Sequence, residues 1–274
     1  MLNTVSRFLL NPAPMRSLAI RGIRKLELGR YEDRLRVGAV DRPHYGYCLY
    51  HSAQLAVRLG HKRISVLEFG VAGGRGLVNL EYHAREISKV LPIEIDIYGF
   101  DTGQGLPKTE DYRDLPYHWK EGFFKMDVSK LQSRLQKAKL ILGDVRKTTS
   151  RFFAEYKPAP VAAIMFDLDF YSSTVGAFGI FDGAPDFLLP RIYCYFDDVT
   201  GTETELYNDH TGVRLAINEF NQRNEKKKLG AAYHLTCSRL VESWHHQIMV
   251  YHDFSHPRYN EFISEKDQQI RLQS

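Results

Sequence analysis

Seven carboxylates stand at or just beyond the ends of apolar runs. Glu68 is next to last in the run 64–69, and Asp101 follows 93–100. Asp144 follows 139–142 after one glycine, Asp167 and Asp169 follow 161–166, and Asp197 and Asp198 follow 192–196. Short apolar runs read as buried strands, and if those strands are parallel their acids arrive at one edge of a sheet. A carboxylate there can accept hydrogen bonds from hydroxyls, hold a cation or take a proton, and near a core it is costly without a partner.

The run 64–69 breaks into Gly70-Val71-Ala72-Gly73-Gly74-Arg75-Gly76. Glycine lets backbone approach a ligand closely and a helix start offers unpaired N–H groups, so Glu68, Gly70, Ala72 and Gly74 read as a cofactor cradle. The spacing differs from the G-x-G-x-x-G of phosphate binders, and a glutamate in the turn would repel a pyrophosphate but suit a cationic ligand. The other reading is structural punctuation. Asp101, with Thr102 beside it, is placed for the hydroxyls of a ribose, against a solvated loop acid. Asp144 is placed by topology for an adenine amino group, against a plain Gly-Asp turn.

Asp167, Asp197 and Asp198 meet at one edge if the fourth and fifth strands are neighbours about 5 Å apart. Carboxylates so gathered repel one another, and an oxygen-preferring ion such as Mg²⁺ would hold them. Without an ion, one is protonated or paired with a cation such as Arg75 or Lys120. Ser172, Ser173 and Thr174 read as caps of the next helix.

Positioning these residues takes alternating strands and helices. A helix with Leu49, Ala53, Ala56 and Leu59 inward leads into the first strand, and one with Leu77, Leu80, Ala84, Ile87 and Leu91 inward follows the glycine turn. Residues 102–126 form a loop long enough to be a lid. Its Tyr112, Tyr117, Trp119, Phe123 and Phe124 either line a pocket or pack the loop onto its domain. Asp127 is expected to cap a helix with Leu131 inward. A helix over 211–227, ending in solvated Lys226, Lys227 and Lys228, is followed by strands at 232–237 and 246–252. The domain spans 44–256, with a basic arm at 1–43 and a polar tail at 257–274.

Composition narrows the class. Residues 1–46 carry nine Lys/Arg against four Asp/Glu, which leaves 28 against 29 for the rest, so the body lacks the excess basic charge that broad nucleic-acid binding needs. Cys48, Cys194 and Cys237 lie far apart, fitting a reducing cytoplasm without a zinc site. No run is long enough for a transmembrane helix. The first 26 residues hold five basic and no acidic side chains; Pro12 and Pro14 favour a basic arm over a transit peptide, and the arm is a candidate contact for a homo-oligomer.

Four segments, Leu-Glu-Phe-Gly-Val-Ala-Gly-Gly (67–74), Gly-Phe-Asp-Thr-Gly-Gln-Gly-Leu-Pro (99–107), Asp-Leu-Asp-Phe-Tyr-Ser-Ser-Thr (167–174) and Phe-Asp-Asp (196–198), together resemble the macrocin-type sugar O-methyltransferases, over residues 44–252. The resemblance implies an α/β, Rossmann-like fold: a seven-stranded, mostly parallel sheet of order 3-2-1-4-5-7-6 with helices on both faces. It implies S-adenosylmethionine (SAM) as methyl donor and a divalent ion, Mg²⁺, at Asp167, Asp197 and Asp198. It also implies a small-molecule hydroxyl acceptor, a sugar or glycosylated metabolite. Asp167 is then ligand and base, with Asp169 a catalytic neighbour that binds or orients the substrate. The chain departs from that pattern at Pro190-Arg191, where the family has two glycines, and at Val199, where it has an aromatic. The competing readings are a SAM- or nucleoside-binding partner protein without methyl transfer and an O-methyltransferase for a phenol. An NAD-linked oxidoreductase is disfavoured by Glu68 and by the lack of a Tyr-x-x-x-Lys pair.

Overall fold

The computed structural model describes residues 14–237 and 241–264, so residues 1–13 of the expected arm and 265–274 of the expected tail lie outside it. Seven strands form one sheet in the order β3-β2-β1-β4-β5-β7-β6: β1 (Arg63–Phe69), β2 (Glu94–Asp101), β3 (Lys139–Leu142), β4 (Val161–Phe166), β5 (Leu188–Phe196), β6 (Lys227–Ala231) and β7 (Ile248–Asp253). Strand β7 is antiparallel to both its neighbours, and the β3-β2-β1-β4-β5 ladder is parallel. Every residue of β4, and all of β1 after Arg63, is buried, as strands covered on both faces must be.

A row of phenylalanines crosses the sheet just before the acids. Phe69 pairs in register with Phe100 and Phe166, and Phe166 with Phe196. Their rings stack at 4.6 Å (Phe69–Phe100), 5.5 Å (Phe69–Phe166) and 4.6 Å (Phe166–Phe196). The next residue on each strand is Asp101, Gly70, Asp167 or Asp197. The site therefore stands on a dry aromatic floor that fixes where each strand stops.

Helices α1 (Pro14–Leu26), α2 (Tyr31–Arg36) and α3 (Pro43–Arg58) precede the sheet, and α3 packs against β4 and β5. Tyr31, Leu35, Ala39 and Val40 are buried with the core, so much of what the sequence sets apart as an arm packs with the domain. Helix α4 (Arg75–Val90) buries Leu77, Leu80, Ala84 and Ile87 as its periodicity predicts. The short α5 (Val128–Gln132) is capped by Asp127, whose side chain accepts from Lys130 N, and buries Leu131. Then follow α6 (Val145–Tyr156), α7 (Tyr171–Ala177), α8 (Gly212–Arg223) and α9 (Tyr233–Thr236).

Three local expectations are corrected. Residues 232–237 are not a strand: β6 is Lys227–Ala231 and 233–236 form α9, which leaves Cys237 exposed. Lys227 and Lys228 are therefore not a solvated helix end. Their ammonium groups donate to Phe181 O (2.6 Å) and Asn221 O (2.5 Å), and lysine on an edge strand discourages further pairing. Finally, no serine caps α7: its N-cap is Phe170, with no side-chain cap bond, and the capping acid comes from the lid.

Candidate active site

A cavity of about 430 Å³ opens above the carboxyl ends of the parallel strands, where the sheet order reverses beside β1. The glycine turn, the lid and the acid cluster all contribute to its walls.

Gly70 has φ +86°, and a Cβ there would lie 1.6 Å from the carbonyl oxygen of Asp167; one at Gly74, φ +78°, would lie 2.1 Å from Leu131 Cδ1. The glycines thus permit close approach of the chain to itself as well as an open cradle. Ala72, at φ +45°, lines the cavity between them. Asp101 turns back on this cradle. Its Oδ2 accepts from Val71 N and Ala72 N, both at 2.9 Å, and its Oδ1 from Gly103 N at 2.6 Å. Thr102 shapes the next turn, donating to Gly105 O at 2.9 Å, and both residues line the cavity. Glu68 does not line it. It is buried under the turn, with Oε1 accepting from Tyr45 Oη at 2.9 Å, and burial pushes its pKa up to about 8 against the lowering effects of Tyr45 and Arg42.

Asp144 caps α6 by accepting from Arg146 N at 2.9 Å, and the Arg146 guanidinium reaches both its oxygens at 3.2 and 3.1 Å. Those bonds hold the carboxyl below its usual range, and a third guanidinium contact reaches Glu110 of the lid at 3.1 Å. Asp144 and Arg146 both line the cavity.

Asp167, Asp169, Asp197 and Asp198 share the opposite wall. Asp198 Oδ2 accepts from Asp169 N (2.9 Å) and Oδ1 from Tyr207 Oη (3.0 Å), while Asp197 Oδ1 accepts from Tyr195 Oη. Asp169 sits in the left-handed region at φ +58°. Burial, and then mutual repulsion, raises Asp167 far above the carboxylate range, Asp169 to about 9 and Asp198 to about 7. The cations expected nearby are not there: Arg75 turns to Asp41 at 3.3 Å, and Lys120 does not line the cavity. The donor set is chemically that of an oxygen-preferring ion: the bonds just named engage Asp198 and one oxygen of Asp197 and leave the Asp167 carboxylate outside them. Among the described residues no three His, Cys, Asp or Glu side chains are arranged as a ligand set.

The lid, residues 102–126, is anchored through a residue that sequence reasoning overlooks. Asp114, 1% exposed, accepts from Ser172 N and Ser172 Oγ at 2.9 Å and from Glu110 N at 3.0 Å. Arg113 lies over the Tyr171 ring at 4.5 Å. Trp119 and Phe124 line the cavity, as one of the two expected roles requires, whereas Tyr112 and Tyr117 are exposed and so neither line it nor pack the loop onto its domain. Arg42, Tyr45, Tyr195, Tyr207 and Glu205 also went unnoticed. Only Tyr195 carried a signal, lying two residues before Asp197.

Comparison with known protein families and with curated proteins finds no match. Solved structures do match. The O-methyltransferase NovP is 12% identical with a TM-score of 0.52, over 87% of this chain and 97% of its own. The calicheamicin methyltransferase CalS11 is 20% identical over 77% and 85%, with a TM-score of 0.48. The O-methyltransferase TomG from Streptomyces achromogenes, solved with SAM, is 15% identical over 86% and 87%, with a TM-score of 0.40. The strand order and the likeness to NovP establish the fold as the Rossmann-like methyltransferase fold.

Proposed function

We propose that this protein is a SAM-dependent O-methyltransferase acting on a hydroxyl of a small molecule, a sugar or glycosylated metabolite. One observation carries the reading. A single cavity joins the glycine turn, Asp101 and Asp144 on one side to four aspartates and a lid on the other. A nucleoside-binding protein without chemistry needs only the first side.

In this reading Asp101 and Thr102 would hold the ribose of SAM and Asp144 its adenine, while Glu68, buried under the turn, would favour its positive charge. The acceptor lies under Trp119 and Phe124 against Asp167 and Asp169. When bound, SAM would supply an electrophilic methyl group on a cationic sulfur that leaves as a neutral thioether, and a carboxylate oxygen of Asp167 would take the acceptor hydroxyl's proton. Asp169 orients the acceptor. Burial suits Asp167 to the task, because a carboxylate with raised proton affinity is a stronger base once ionised. Trp119 and Phe124 exclude water, and the positions of donor and acceptor supply much of the rate. Asp167, Asp197 and Asp198 would hold a divalent ion such as Mg²⁺ by turning their carboxylates to one point, and when bound it would lower the pKa of the acceptor hydroxyl. The gathering of Asp167, Asp197 and Asp198 on one wall of the cavity supports that part of the reading. A sugar acceptor is supported by the motif resemblance.

The test is calorimetric titration with SAM, with and without Mg²⁺, on the native chain and on Glu68→Ala and Asp197→Ala, followed by transfer of labelled methyl to a panel of glycosides. Saturable binding lost in Glu68→Ala and kept in Asp197→Ala is expected. No SAM binding by the native chain would overturn the proposal, and binding with no transfer to any hydroxyl compound would favour the partner-protein reading.

A further inference from the structure

Tyr45 stands on α3, outside the strand-end motifs. It is fully buried, and its hydroxyl donates to Glu68 Oε1 at 2.9 Å. The other carboxylate oxygen, Oε2, is buried with no hydrogen-bond partner. The pair is tightly enclosed: a Cβ added to Gly76, in the first turn of α4, would lie 1.8 Å from Oε1 and 3.0 Å from Tyr45 Cε2. The Tyr45 ring is held in turn by the Arg42 guanidinium, 5.0 Å from its centroid, and by the rings of His44 and Tyr195, edge-on at 5.0 and 5.5 Å.

A buried carboxylate with one oxygen bonded and the other bare is half of a binding arrangement, since leaving an acceptor unpaired away from water costs free energy until a donor arrives. We propose that Tyr45 is a positioning residue for the methyl donor. By taking Oε1 it stops the carboxylate from turning and leaves Oε2 bare beneath the turn, where its charge acts through the turn on the ammonium group of SAM's amino-acid end. Tyr45 itself touches neither cofactor nor reacting atoms; it acts through Glu68. The inference rests on reading the cavity as a SAM site.

The test uses two ligands, SAM and 5′-methylthioadenosine, which keeps the nucleoside and lacks the amino-acid end. Both are titrated into the native chain, Tyr45→Phe, Glu68→Gln, the double variant and Gly76→Ala. Tyr47→Phe, on the same helix with its hydroxyl at His234, is the control for a general effect on α3. We expect the preference for SAM over methylthioadenosine to fall roughly tenfold in Tyr45→Phe, as for loss of a charge-assisted bond, with methylthioadenosine binding unchanged. The double variant should be no worse than Glu68→Gln, because two residues acting through one contact are not additive. Gly76→Ala, which displaces Oε1 by a second route, should lower the same ratio, and Tyr47→Phe should keep it. Methylthioadenosine stoichiometry counts folded protein, so partial unfolding does not mimic the effect. A native preference in Tyr45→Phe, or additive losses in the double variant, overturns the inference alone. A native chain that binds neither ligand overturns the SAM reading and this inference with it.

Discussion

The glycines of the turn after β1 differ sharply in what they tolerate. Gly70 combines φ +86° with a backbone carbonyl 1.6 Å from where a Cβ would stand, so neither its conformation nor its surroundings admit a side chain. Gly73, three residues on, has ordinary φ and nothing within 4 Å of its added Cβ. Gly70→Ala is therefore expected to cost more than about 3 kcal/mol or to prevent folding, and Gly73→Ala to stay within about 0.5 kcal/mol, as read from urea unfolding midpoints. Equal effects at the two positions would show that the turn's geometry is not what holds it. A second residue-scale case is His83 on α4, wholly buried between Tyr31 Oη (2.9 Å from Nδ1) and Asp41 O (3.0 Å from Nε2). Burial lowers its pKa from 6.5 to about 4. The unfolded chain then binds a proton that the folded chain refuses, so stability present above pH 6.5 is lost as the pH falls towards 4. One such group is worth up to about 3 kcal/mol. Unfolding midpoints at pH 7 and pH 4.5 should show the loss, and His83→Gln should flatten it; an unchanged slope would assign it to other groups, among them the half-buried His44 and His51, which are shifted the same way.

At the scale of elements, the lid is a long loop pinned near its middle. Asp114 serves as the cap that α7 lacks in its own sequence, and Arg113 and Tyr171 pack beside it. Removing the carboxylate leaves Ser172 N without its partner and cuts the lid from the helix, at a cost of about 1–2 kcal/mol for a lost cap. Asp114→Ala should raise the rate of tryptic cleavage at Lys108, Lys120 and Lys125 by tenfold or more while the sheet stays protected. Cleavage at the native rate would mean that Trp119 and Phe124 hold the lid without it.

For the molecule as a whole, the phenylalanine row makes sheet and site one object. Phe166 stacks on Phe69 and Phe196 and meets Phe178 edge-on at 5.5 Å, so it ties the two central strands to a covering helical turn. Phe166→Ala should cost about 3–5 kcal/mol and, on the proposed function, lower SAM affinity as well, because the carbonyl above Gly70 moves with β4. Denaturant melts with and without SAM would separate the two effects, and full SAM affinity in a destabilised variant would show that the site does not depend on the row.

The sequence by itself determined the strands that are buried on both faces and the residues that end them, because continuous apolar runs stopped by Gly or Asp have few other solutions. It also marked Gly70, Ala72, Asp101, Asp144 and the four aspartates, which line one cavity, since parallel strands deliver their ends to one side; Gly74, marked with them, packs against Leu131 instead. Tertiary structure alone decided what those residues do to each other. Asp101 spends its oxygens on Val71, Ala72 and Gly103, and Asp144 is engaged by Arg146, neither of which a strand-end position reveals. Tyr45 reaches Glu68 across 23 positions and Asp114 reaches Ser172 across 58, contacts with no local pattern to announce them. The edge strand β6 went unread for a related reason: Lys-Lys-Leu-Gly-Ala has little strand preference of its own, and only pairing with β7 makes it one.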